Sequence, residues 1–485
     1  MKTFVLTSLF CCLAGMAHSQ ITAYPSGDTD GKILKRSTSY SVEARALPDG
    51  EWQNLEVYSA SVDIKKRRNT SFVEIDSRGD VEFRVTNHIA KYDSVSIRPL
   101  SRDVEWKCVN DSVLTFVAEP GMKLSLETNG DRYRNLHIFV NEPLKEILKP
   151  DGDDCIDWSQ KLGDVYRKNA RLIYFGPGVH RPKDLPSTRI RIPSNCTVYL
   201  APGAVVNAQL SVDKAENVRI IGRGYICSPC EAIDITYSKN VEIDGVTIVN
   251  PGHYTVYGGQ SDSIRIHNVK SLSGAQWGDG FDLMSCSNVD IDDCFIRTSD
   301  DCLAFYNHRW GFWGNSTNFT VRNTILWADV AHPINLGGHG DDMDPQGETL
   351  SNVLYENIDI LECRESQPLY QGCLSIGCGD NNTVKNVTFR NIRIEDVQLG
   401  RLVNFNVLFN EKYNRVPGRG ISNITLENVS YEGRFFELNP PVVTGYSEER
   451  CIDGVTFRNV TVNGKRIRSL EGFETNEYVR NVKFK

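Results

Sequence analysis

A short pattern of alternating apolar and polar residues recurs along the second half of the chain. It begins with Asn, or sometimes Ser or Gly, and places apolar residues at alternate positions, as in Asn240-Val-Glu-Ile and Asn288-Val-Asp-Ile. Ten copies occur, separated by 23, 23, 25, 30, 34, 34, 37, 31 and 27 residues. A period of about 20 to 40 residues made of short strands predicts a parallel β-solenoid with the apolar positions inside. Unrelated strands of a sandwich would not keep the phrase in register, and Asn tolerates unusual φ at the turns.

The first part of the chain follows a different pattern. Alternating stretches such as Tyr40-Ser-Val-Glu-Ala and Val81-Glu-Phe-Arg-Val are separated by turn signals such as Asn129-Gly130-Asp131. This pattern favours an N-terminal antiparallel β-sandwich over residues 20–145, followed by a linker rich in Pro, Asp and Gly. Apolar residues at helical spacing predict a helix from Asp157 to Lys168. That helix would cap the open end of a solenoid at residues 155–485.

The first 19 residues have the pattern of a secretory signal peptide. Lys2 gives a positive start, Phe4 to Gly15 is apolar, and Ala17-His18-Ser19 places small residues before a cleavage point at Gln20. A buried N-terminal helix is the alternative. The apolar stretch is too short to span a bilayer, and no later stretch is longer. We therefore expect a secreted protein, extracellular or periplasmic, with residues 1–19 removed.

Composition narrows the range of partners. The 485 residues have a net charge of −8, and no basic stripe stands out, so nucleic acid and membranes are not expected as partners. Twelve of the 14 cysteines lie outside the signal, and export would permit disulfides whose pairing the sequence does not define. Cys227-Ser-Pro-Cys230 is interpreted as a local disulfide or as two buried thiols. We expect a monomer.

Three phrases in the segment from Trp277 to Gly340 concentrate acids and one histidine. They are Gly278-Asp279-Gly280-Phe281-Asp282, Ser299-Asp300-Asp301-Cys302 and Ala331-His332-Pro333. Asp279 and Asp300 are 21 residues apart, and Asp301 and His332 are 31 apart. Residues one period apart in a solenoid stack on adjacent coils, about 4.8 Å apart. The three phrases are therefore predicted to form one patch.

The length of the repeat changes around this patch. The gaps grow from 23 to more than 30 residues between Asn288 and Asn423, whereas the strand phrase keeps its length. The additional residues are therefore loops, and long loops on consecutive coils would line a groove on one side of a rigid rod.

Stacked carboxylates suggest a particular chemistry. Like charges at this distance raise the pKa of at least one group. A protonated acid beside ionised bases is what cleavage of a glycosidic bond needs, since one group protonates the leaving oxygen and another activates water. We therefore predict that Asp279, Asp300 and Asp301 are catalytic and that His332 tunes their protonation. Three other acids are interpreted as turn caps: Asp290, Asp292 and Asp293.

Aromatic side chains are frequent in the same segment, and flat rings suit the apolar faces of sugars. Packing between the loops is the alternative for each of Trp277, Tyr306, Trp310, Phe312, Trp313 and Trp327. The predicted substrate-binding residues are Trp277, Tyr306, Arg309, Trp310 and Asn335. The run Asp341-Asp342-Met343-Asp344 fits no calcium-binding loop and is interpreted as a solvated turn. No metal and no cofactor is expected.

The acidic phrases resemble a known family. Gly278-Asp279-Gly280-Phe281-Asp282, Ser299-Asp300-Asp301-Cys302 and the His332 segment are similar to the Asn-Thr-Asp, Asp-Asp and Gly-His-Gly motifs of glycoside hydrolase family 28, the polygalacturonases. The phrase Ile220-Ile-Gly-Arg-Gly is also similar, and the likeness covers roughly residues 160 to 485. The resemblance implies an all-β, right-handed parallel β-helix and an inverting hydrolase. It implies that Asp300 is the general acid and that Asp279 and Asp301 hold and activate the water.

The N-terminal half resembles a related family of the same clan. A β-sandwich before the β-helix, with Ile97-Arg98-Pro99-Leu100 and Asn135-Leu-His-Ile-Phe139, is similar to glycoside hydrolase family 49, which includes dextranases and isopullulanase. Family 28 enzymes also have an Arg-Ile-Lys phrase for the substrate carboxylate. The corresponding stretch here, about Gly372-Cys-Leu-Ser-Ile-Gly377, contains no basic residue. Arg309, Arg401 or Lys412 could replace it from a loop. A site for an acidic sugar needs a charged donor, preferably forked.

We therefore expect a polysaccharide hydrolase that acts on a neutral α-glucan, with pectic galacturonan as the second choice. Two other classes of function remain open. A β-helix lyase would need calcium and a basic residue, which the aspartate cluster does not favour. A non-catalytic carbohydrate-binding β-helix would keep the aromatic residues but would not need the acids.

Overall fold

The computed structural model of the protein describes residues 20–158, 170–181, 188–433 and 438–485. The predicted signal peptide lies outside these ranges, as does the predicted helix Asp157 to Lys168 beyond its first two residues. Asp157 instead ends a strand that pairs with the first strand after the gap. Within the described ranges, the one helical element is the short 3-10 helix Leu100–Arg102, and no helix is long and apolar enough to cross a membrane.

Two β-sheets pack face to face in the part of the chain before Glu142. Their residues alternate between buried and less buried positions, as in Val81–Asn87, so that one face of each sheet forms a common apolar core. One sheet has the order β1-β5-β11-β10-β7, with β4 also paired to β5, and the other has the order β3-β2-β6-β9-β8. The strands are β1 Ile21–Ala23, β2 Tyr40–Ala46, β3 Gln53–Leu55, β4 Tyr58–Val62, β5 Arg68–Ser77, β6 Val81–Asn87, β7 Val95–Arg98, β8 Trp106–Asn110, β9 Val113–Ala118, β10 Lys123–Thr128 and β11 Asp131–Asn141.

The rest of the described chain winds into a right-handed parallel β-helix, which confirms the predicted fold class. Its strands are β12 Cys155–Asp157, β13 Leu172–Phe175, β14 Gly178–His180, β15 Arg189–Arg191, β16 Thr197–Leu200, β17 Ala204–Val206, β18 Gln209–Asp213, β19 Glu216–Gly222, β20 Tyr225–Ile226, β21 Ile233–Thr236, β22 Lys239–Asp244, β23 Thr247–Val249, β24 Val256–Gly259, β25 Asp262–His267, β26 Lys270–Leu272, β27 Phe281–Met284, β28 Ser287–Asp292, β29 Phe295–Thr298, β30 Leu303–Tyr306, β31 Ser316–Arg322, β32 Ile325–Ala328, β33 Ile334–Leu336, β34 Thr349–Arg364, β35 Leu374–Cys378, β36 Thr383–Ile394, β37 Val397–Leu399, β38 Val403–Val407, β39 Gly420–Tyr431, β40 Val442–Thr444, β41 Ile452–Val462, β42 Lys465–Arg466, β43 Glu474–Thr475 and β44 Val479–Phe484.

Two long sheets run along this β-helix. A sheet of 11 described strands has the order β15-β18-β21-β24-β27-β30-β33-β35-β38-β40-β43, and a sheet of 22 described strands contains the others. The repeated apolar positions stack inside the coil, as Val241, Ile264 and Val289 do on three consecutive turns. The 11-stranded sheet positions the candidate site.

The repeated Asn residues form a ladder along the outside of the β-helix. Asn217, Asn240, Asn352 and Asn386 adopt φ between 55° and 59°, the left-handed region that Asn tolerates better than most residues. The Asn240 amide donates to Asn217 at 2.8 Å, and the Asn386 amide donates to Asn352 at 2.9 Å. The residue that begins each phrase therefore makes the turn and links one coil to the next.

The sandwich and the β-helix share a buried junction. Phe139 packs edge-on against Phe295 with ring centroids 5.1 Å apart, and Trp327 is fully buried in the same apolar cluster. The buried Arg98 guanidinium extends from the sandwich and donates to Glu395 of the β-helix at 2.6 Å. Trp327 is therefore a packing residue of the junction; of the two interpretations left open by the sequence, packing applies to it and contact with a sugar does not.

The structure joins none of the twelve cysteines that it describes. Cys227 is buried, Cys230 is partly buried, and both are free thiols. The disulfides expected from export therefore stay a prediction.

Candidate active site

Asp279, Asp301 and His332 occupy the same position on three consecutive coils. Each lies two residues before a strand of the 11-stranded sheet, and the register pairs those strands as Phe281 with Leu303 and Leu303 with Ile334. The N–H of Gly280 donates to the carbonyl of Asp301 at 2.8 Å, and the N–H of Cys302 donates to that of His332 at 2.8 Å. The stacking inferred from the sequence spacing is confirmed.

Gly280 permits this close stacking. A Cβ at Gly280 would lie 2.2 Å from the carbonyl oxygen of Cys302 and 2.6 Å from Cγ2 of Ile296. Both distances are far below van der Waals contact, and one of the atoms belongs to the rigid backbone of the next coil. The coil that presents Asp279 could not approach the coil that presents Asp301 this closely with a larger residue.

Asp301 accepts three hydrogen bonds. Its Oδ1 accepts from the His332 backbone N–H at 3.0 Å and from His332 Nδ1 at 2.6 Å, and its Oδ2 accepts from the Asn335 amide at 2.7 Å. Burial alone would raise the pKa of Asp301, but the charge and hydrogen bonds of His332 and the hydrogen bond of Asn335 outweigh it and lower the pKa below the usual range. Asp301 is therefore an ionised carboxylate.

His332 is an imidazolium. Its Nδ1 contacts Asp301, and its Nε2 contacts the carbonyl oxygen of Tyr370, so both ring nitrogens face acceptors and both must be donors. Burial disfavours the charged ring, but the charge of Asp301 raises the pKa of His332 to about 10. The prediction that His332 tunes the protonation of the cluster is consistent with this geometry.

Asp300 has the opposite electrostatic environment to its neighbour Asp301. Burial and then the negative charge of Asp301 raise the pKa of Asp300 to about 7, although His332 opposes the shift. Possible ligand atoms of Asp279, Asp300 and Asp301 lie within 4.8 Å of one another. Two adjacent carboxyls in one site thus differ in protonation at neutral pH, which is the arrangement that separates an acid from a base.

Asp279 faces the same cavity with a different set of partners. Burial is the largest cause that raises its pKa well above the usual range, and the carboxyls of Asp282, Asp300 and Asp301 add to it. Asp282, which the sequence analysis did not assign a role, is fully buried on β27, and its pKa is also raised by burial.

A cavity of about 450 Å³ opens above this cluster. All nine residues that the sequence predicts for the site line it: Trp277, Asp279, Asp300, Asp301, Tyr306, Arg309, Trp310, His332 and Asn335. Their roles remain predictions. The other lining residues are His253, Tyr254, Ala331, Gly338, His339, Glu365, Gln367, Tyr370 and Tyr413.

Aromatic rings form one side of the cavity. Trp310 stacks on Tyr254 with ring centroids 5.1 Å apart and an interplanar angle of 6°, and it is still 52% exposed. Trp277 is 60% exposed at the rim. Trp313 is 62% exposed but does not line the cavity, and Phe312 is buried beneath the loop. Trp277 and Trp310 therefore offer exposed aromatic surface at the cavity that holds the acids.

Arg309 is the one arginine, and no lysine is present, among the described residues that line the cavity. Its guanidinium lies 5.1 Å from the Tyr306 ring centroid and 5.3 Å from that of Trp310. No described side chain or carbonyl accepts a hydrogen bond from it. Its donors are therefore available to a ligand. Arg401 and Lys412 do not line the cavity: Arg401 is bonded to Glu474 at 3.1 Å, and Lys412 is bonded to the lining residue Gln367 at 2.8 Å.

Tyr254 is the lining residue that sequence reasoning could have found. It lies two residues before β24, as Asp279 lies two residues before β27, and β24 pairs with β27. Counting one period back from Asp279 therefore reaches Tyr254. By contrast, Tyr370, Tyr413 and His339 come from long loops, for which the strand period gives no position.

Two groups of described residues could hold a metal ion by geometry alone. One group is the aspartates Asp279, Asp300 and Asp301, and the other is His308, Asp341 and Glu348. Within each group the possible ligand atoms lie within 4.8 Å of one another. His308 lies 3.9 Å from Asp341 and 3.7 Å from Glu348. Asp341 belongs to the acidic run that the sequence analysis interpreted as a solvated turn.

Comparison with known proteins identifies similar sequences. The family model described as Glycosyl hydrolases family 28 matches residues 193–483. A polygalacturonase of Juniperus ashei is 23% identical over 36% of this chain and 31% of its own length. A probable endopolygalacturonase D of Neosartorya fischeri is 21% identical over 42% of this chain and 37% of its own length. The chain thus spans about a third of the length of these curated relatives.

Solved structures with the same fold cover more of the chain. Dex49A from Penicillium minioluteum is similar over 93% of this chain and 95% of its own, with a TM-score of 0.66 and 15% identity. A family 28 exopolygalacturonase from Yersinia enterocolitica is similar over 83% of this chain and 96% of its own, with a TM-score of 0.51 and 12% identity. At these identities the likeness shows the fold.

Proposed function

Because the chain belongs to glycosyl hydrolase family 28, we propose that it hydrolyses glycosidic bonds of a polysaccharide with inversion at the anomeric carbon. The observation on which this proposal depends is the stack of Asp279, Asp301 and His332 on successive coils, with Asp300 beside it at the base of the cavity. The preferred substrate is a neutral α-glucan of the dextran or pullulan type.

Asp300 is the proposed general acid. A group whose pKa is about 7 holds its proton at mildly acidic pH and can release it to a leaving oxygen in the transition state. Asp300 is also only partly buried, whereas Asp279 and Asp301 are buried, so it reaches furthest towards a bound chain. Its proton moves to the glycosidic oxygen as the bond from that oxygen to the anomeric carbon breaks.

Asp279 and Asp301 are proposed to hold the attacking water in different ways. Asp301 already accepts three hydrogen bonds and is paired with an imidazolium, so it is a weak base that serves mainly to orient the water. Asp279 receives no hydrogen bond from any described N–H group, and its raised pKa makes it the better proton acceptor. The water therefore transfers its proton to Asp279 as its oxygen bonds to the anomeric carbon.

The short distance between the acids makes the stereochemistry an essential test. Their ligand atoms lie within 4.8 Å, whereas inverting glycosidases typically separate the two carboxyl groups by about 6.5–9.5 Å. We propose inversion because two carboxylates share one water, and the family resemblance supports it. Proton NMR of the first product formed distinguishes the outcomes: the inverted anomer supports the proposal, and the retained anomer contradicts it.

A neutral substrate is supported by the lack of basic residues in one stretch of the coil that follows Asn335. Ser375 on β35 pairs with Asn335 in the sheet, and it occupies the middle of the stretch Gly372 to Gly377, which has no basic residue. The rim supplies ring faces from Trp277 and Trp310 instead. Apolar sugar faces and hydroxyl groups suit such a surface better than a row of carboxylates does.

A second candidate substrate is pectic galacturonan, and Arg309 favours it. Its guanidinium lines the cavity with unused donors, which fits a substrate carboxylate. The curated relatives are named polygalacturonases. One forked cation near the acids could therefore take the role of the missing Arg-Ile-Lys phrase.

Release of reducing sugar from dextran, pullulan and polygalacturonate tests both candidates. We expect the highest kcat/KM on a neutral glucan. Higher kcat/KM on polygalacturonate would favour the second candidate, and the sizes of the products would show endo or exo action. A non-catalytic carbohydrate-binding β-helix would bind one of these polymers and release no sugar from any of them.

Export and the domain division are also part of the proposal. We propose a secreted monomer with a signal at residues 1–19, a sandwich at 20–145 and a β-helix at 155–485, acting on a polysaccharide with no nucleic acid or membrane partner. The signal-like sequence from Lys2 to Ser19 supports export. N-terminal sequencing of the secreted protein should begin at Gln20.

A further inference from the structure

Asp282 is a buried carboxyl group to which no donor is provided. It lies on β27 between Tyr257 and Ala304 of the neighbouring coils, and none of its surface is exposed. Neither oxygen accepts a hydrogen bond from any N–H or hydroxyl group in the described part of the chain. Buried acids are normally bonded by donors, because an ionised carboxylate without them is strongly disfavoured.

The Asp282 side chain contacts the carboxyl group of Asp279. Asp279 lies three residues earlier, where the chain enters the same strand, and the two side chains are within hydrogen-bonding contact. Two carboxylates at this distance cannot both be ionised without strong repulsion. One proton between them removes the repulsion and forms the hydrogen bond that Asp282 otherwise lacks.

The surroundings of the two carboxyl groups indicate which of them carries this proton. Asp279 lines the cavity and is slightly exposed, so it can interact with water, whereas Asp282 is shielded completely. The charged groups that face Asp282 are the carboxyls of Asp279, Asp300 and Asp301 and the guanidinium of Arg309, and two phenols complete the set: Tyr254 and Tyr306. Arg309 and the contact with Asp279 favour ionisation of Asp282, whereas its complete burial and the charges of Asp300 and Asp301 oppose it.

We propose that Asp282 is a positioning residue whose carboxyl group stays protonated and donates a hydrogen bond to Asp279. The bond holds one oxygen of Asp279 towards the protein and leaves the other towards the water in the cavity. Since no described N–H group bonds the Asp279 side chain, this bond is what orients it. The kinetic part of this inference depends on the proposed hydrolase function, and the protonation state does not.

Two substitutions of Asp282 distinguish the loss of its hydrogen-bond donor from a change in side-chain shape. Asp282→Asn keeps the size of the side chain and supplies an amide donor, whereas Asp282→Leu keeps a similar size without any donor. We expect kcat of D282N within about threefold of the wild type. We expect D282L to lose about 100-fold in kcat, as for a misplaced catalytic group, with KM changed less than about threefold.

Infrared spectroscopy tests the proton directly and needs no substrate. At pH 9, which is above the pKa of about 7 of Asp300, we expect the wild type to keep a carbonyl stretch of a protonated carboxylic acid. This band should persist in D300N and disappear in D282N. Thermal unfolding of each variant shows whether it is folded, and if D282L is not, D282N decides the question.

The results have distinct meanings. A band that is lost in D282N, together with retained hydrolysis, supports the inference. Absence of the band from the wild type at pH 9, or a loss of kcat in D282N as large as the roughly 100-fold loss expected for D282L, would overturn it. If the wild type hydrolyses none of the polymers but shows the band, the proposed function fails while the proton on Asp282 stands.

Discussion

The imidazolium of His332 and the carboxylate of Asp301 are bonded twice across adjacent coils. Nδ1 of the ring and the backbone N–H of His332 both donate to Oδ1 of Asp301, at 2.6 and 3.0 Å. The pair fixes one member of the acid cluster in its charged form. Asp300, the adjacent residue, is therefore next to a permanent negative charge and keeps its proton to higher pH.

Substitution of His332 by Gln should shift the acidic limb of the pH profile of kcat/KM to higher pH. The His332 cation lowers the pKa of Asp301, and the proposed mechanism needs this carboxylate ionised. Without the cation the pKa of Asp301 rises, so activity is lost at a higher pH as the solution is acidified. We expect the acidic limb of kcat/KM to shift upwards by about 1–2 units.

The control for this experiment is Asn335→Ala, which removes a neutral hydrogen bond from the same carboxylate. It should shift the limb less than H332Q does. An H332Q profile with an unmoved acidic limb would show that the charge of His332 does not determine the ionisation of Asp301.

Substitution of Gly280 by Ala should destabilise the stack of coils. The new methyl group would meet the carbonyl of Cys302 at 2.2 Å, and overpacking of this kind costs about 1–3 kcal/mol or more. Gly377→Ala is the matched control, because a Cβ there would touch only Leu408, at 4.0 Å. Denaturant unfolding should show a clear loss for G280A and a change below about 1 kcal/mol for G377A. Equal effects would contradict the packing argument.

Substitutions of Asn352 separate its two contributions to the ladder. Asn352→Ala loses both the positive φ tolerance and the hydrogen bonds, whereas Asn352→Gly loses only the bonds, which are those donated to Asn318 and Thr317 and the one accepted from Asn386. The left-handed conformation costs a residue with a Cβ about 1–2 kcal/mol. We expect N352A to be less stable than N352G by about that amount in urea unfolding, and equal stabilities would show that φ is not the cause.

Much of the fold was predictable because the repeat is a local signal. The Asn at the start of each phrase and the alternate apolar positions determine where each coil turns and which side chains fill it, as Asn240 and Val241 show. The same period predicted that Asp279, Asp301 and His332 stack. Position along the coil depends on spacing alone, so no knowledge of tertiary contacts was needed.

Contacts between distant segments could not be predicted in this way. Trp327 has the sequence context of the site, but the sandwich covers its strand and buries it beside Phe139. The role proposed for Asp282 depends on the absence of donors around it in the described part of the chain, and the sequence does not contain that information. The direction of the Arg309 guanidinium depends on its contacts with the rings of Tyr306 and Trp310, which the sequence does not define.

Substitution of Arg309 by Met should distinguish the two candidate substrates. The guanidinium would contact a carboxylate of galacturonan, whereas a neutral glucan offers only hydroxyl groups. We expect R309M to raise KM for polygalacturonate about tenfold or more, with KM for the neutral glucan changed less than about threefold. Lys412→Met is the control, since Lys412 is a nearby cation that does not line the cavity and is already bonded to Gln367 at its edge. Equal changes in KM on both polymers would show that Arg309 does not recognise a substrate carboxylate.

Replacement of the proposed general acid tests the account most directly. In Asp300→Asn, hydrolysis of the natural glycosidic bond should fall by about 10²–10⁴-fold, because its leaving oxygen needs a proton. An aryl glycoside of the same sugar with an acidic phenol needs no such help and should be hydrolysed within about tenfold of the wild-type rate. Binding of the polymer should be retained.

The measurement is the ratio of kcat/KM on these two substrates for the wild type and D300N. The account predicts a ratio that changes by at least about 100-fold in favour of the aryl glycoside. An equal loss on both substrates, or unchanged hydrolysis of the polymer, would contradict the assignment of Asp300 as the acid.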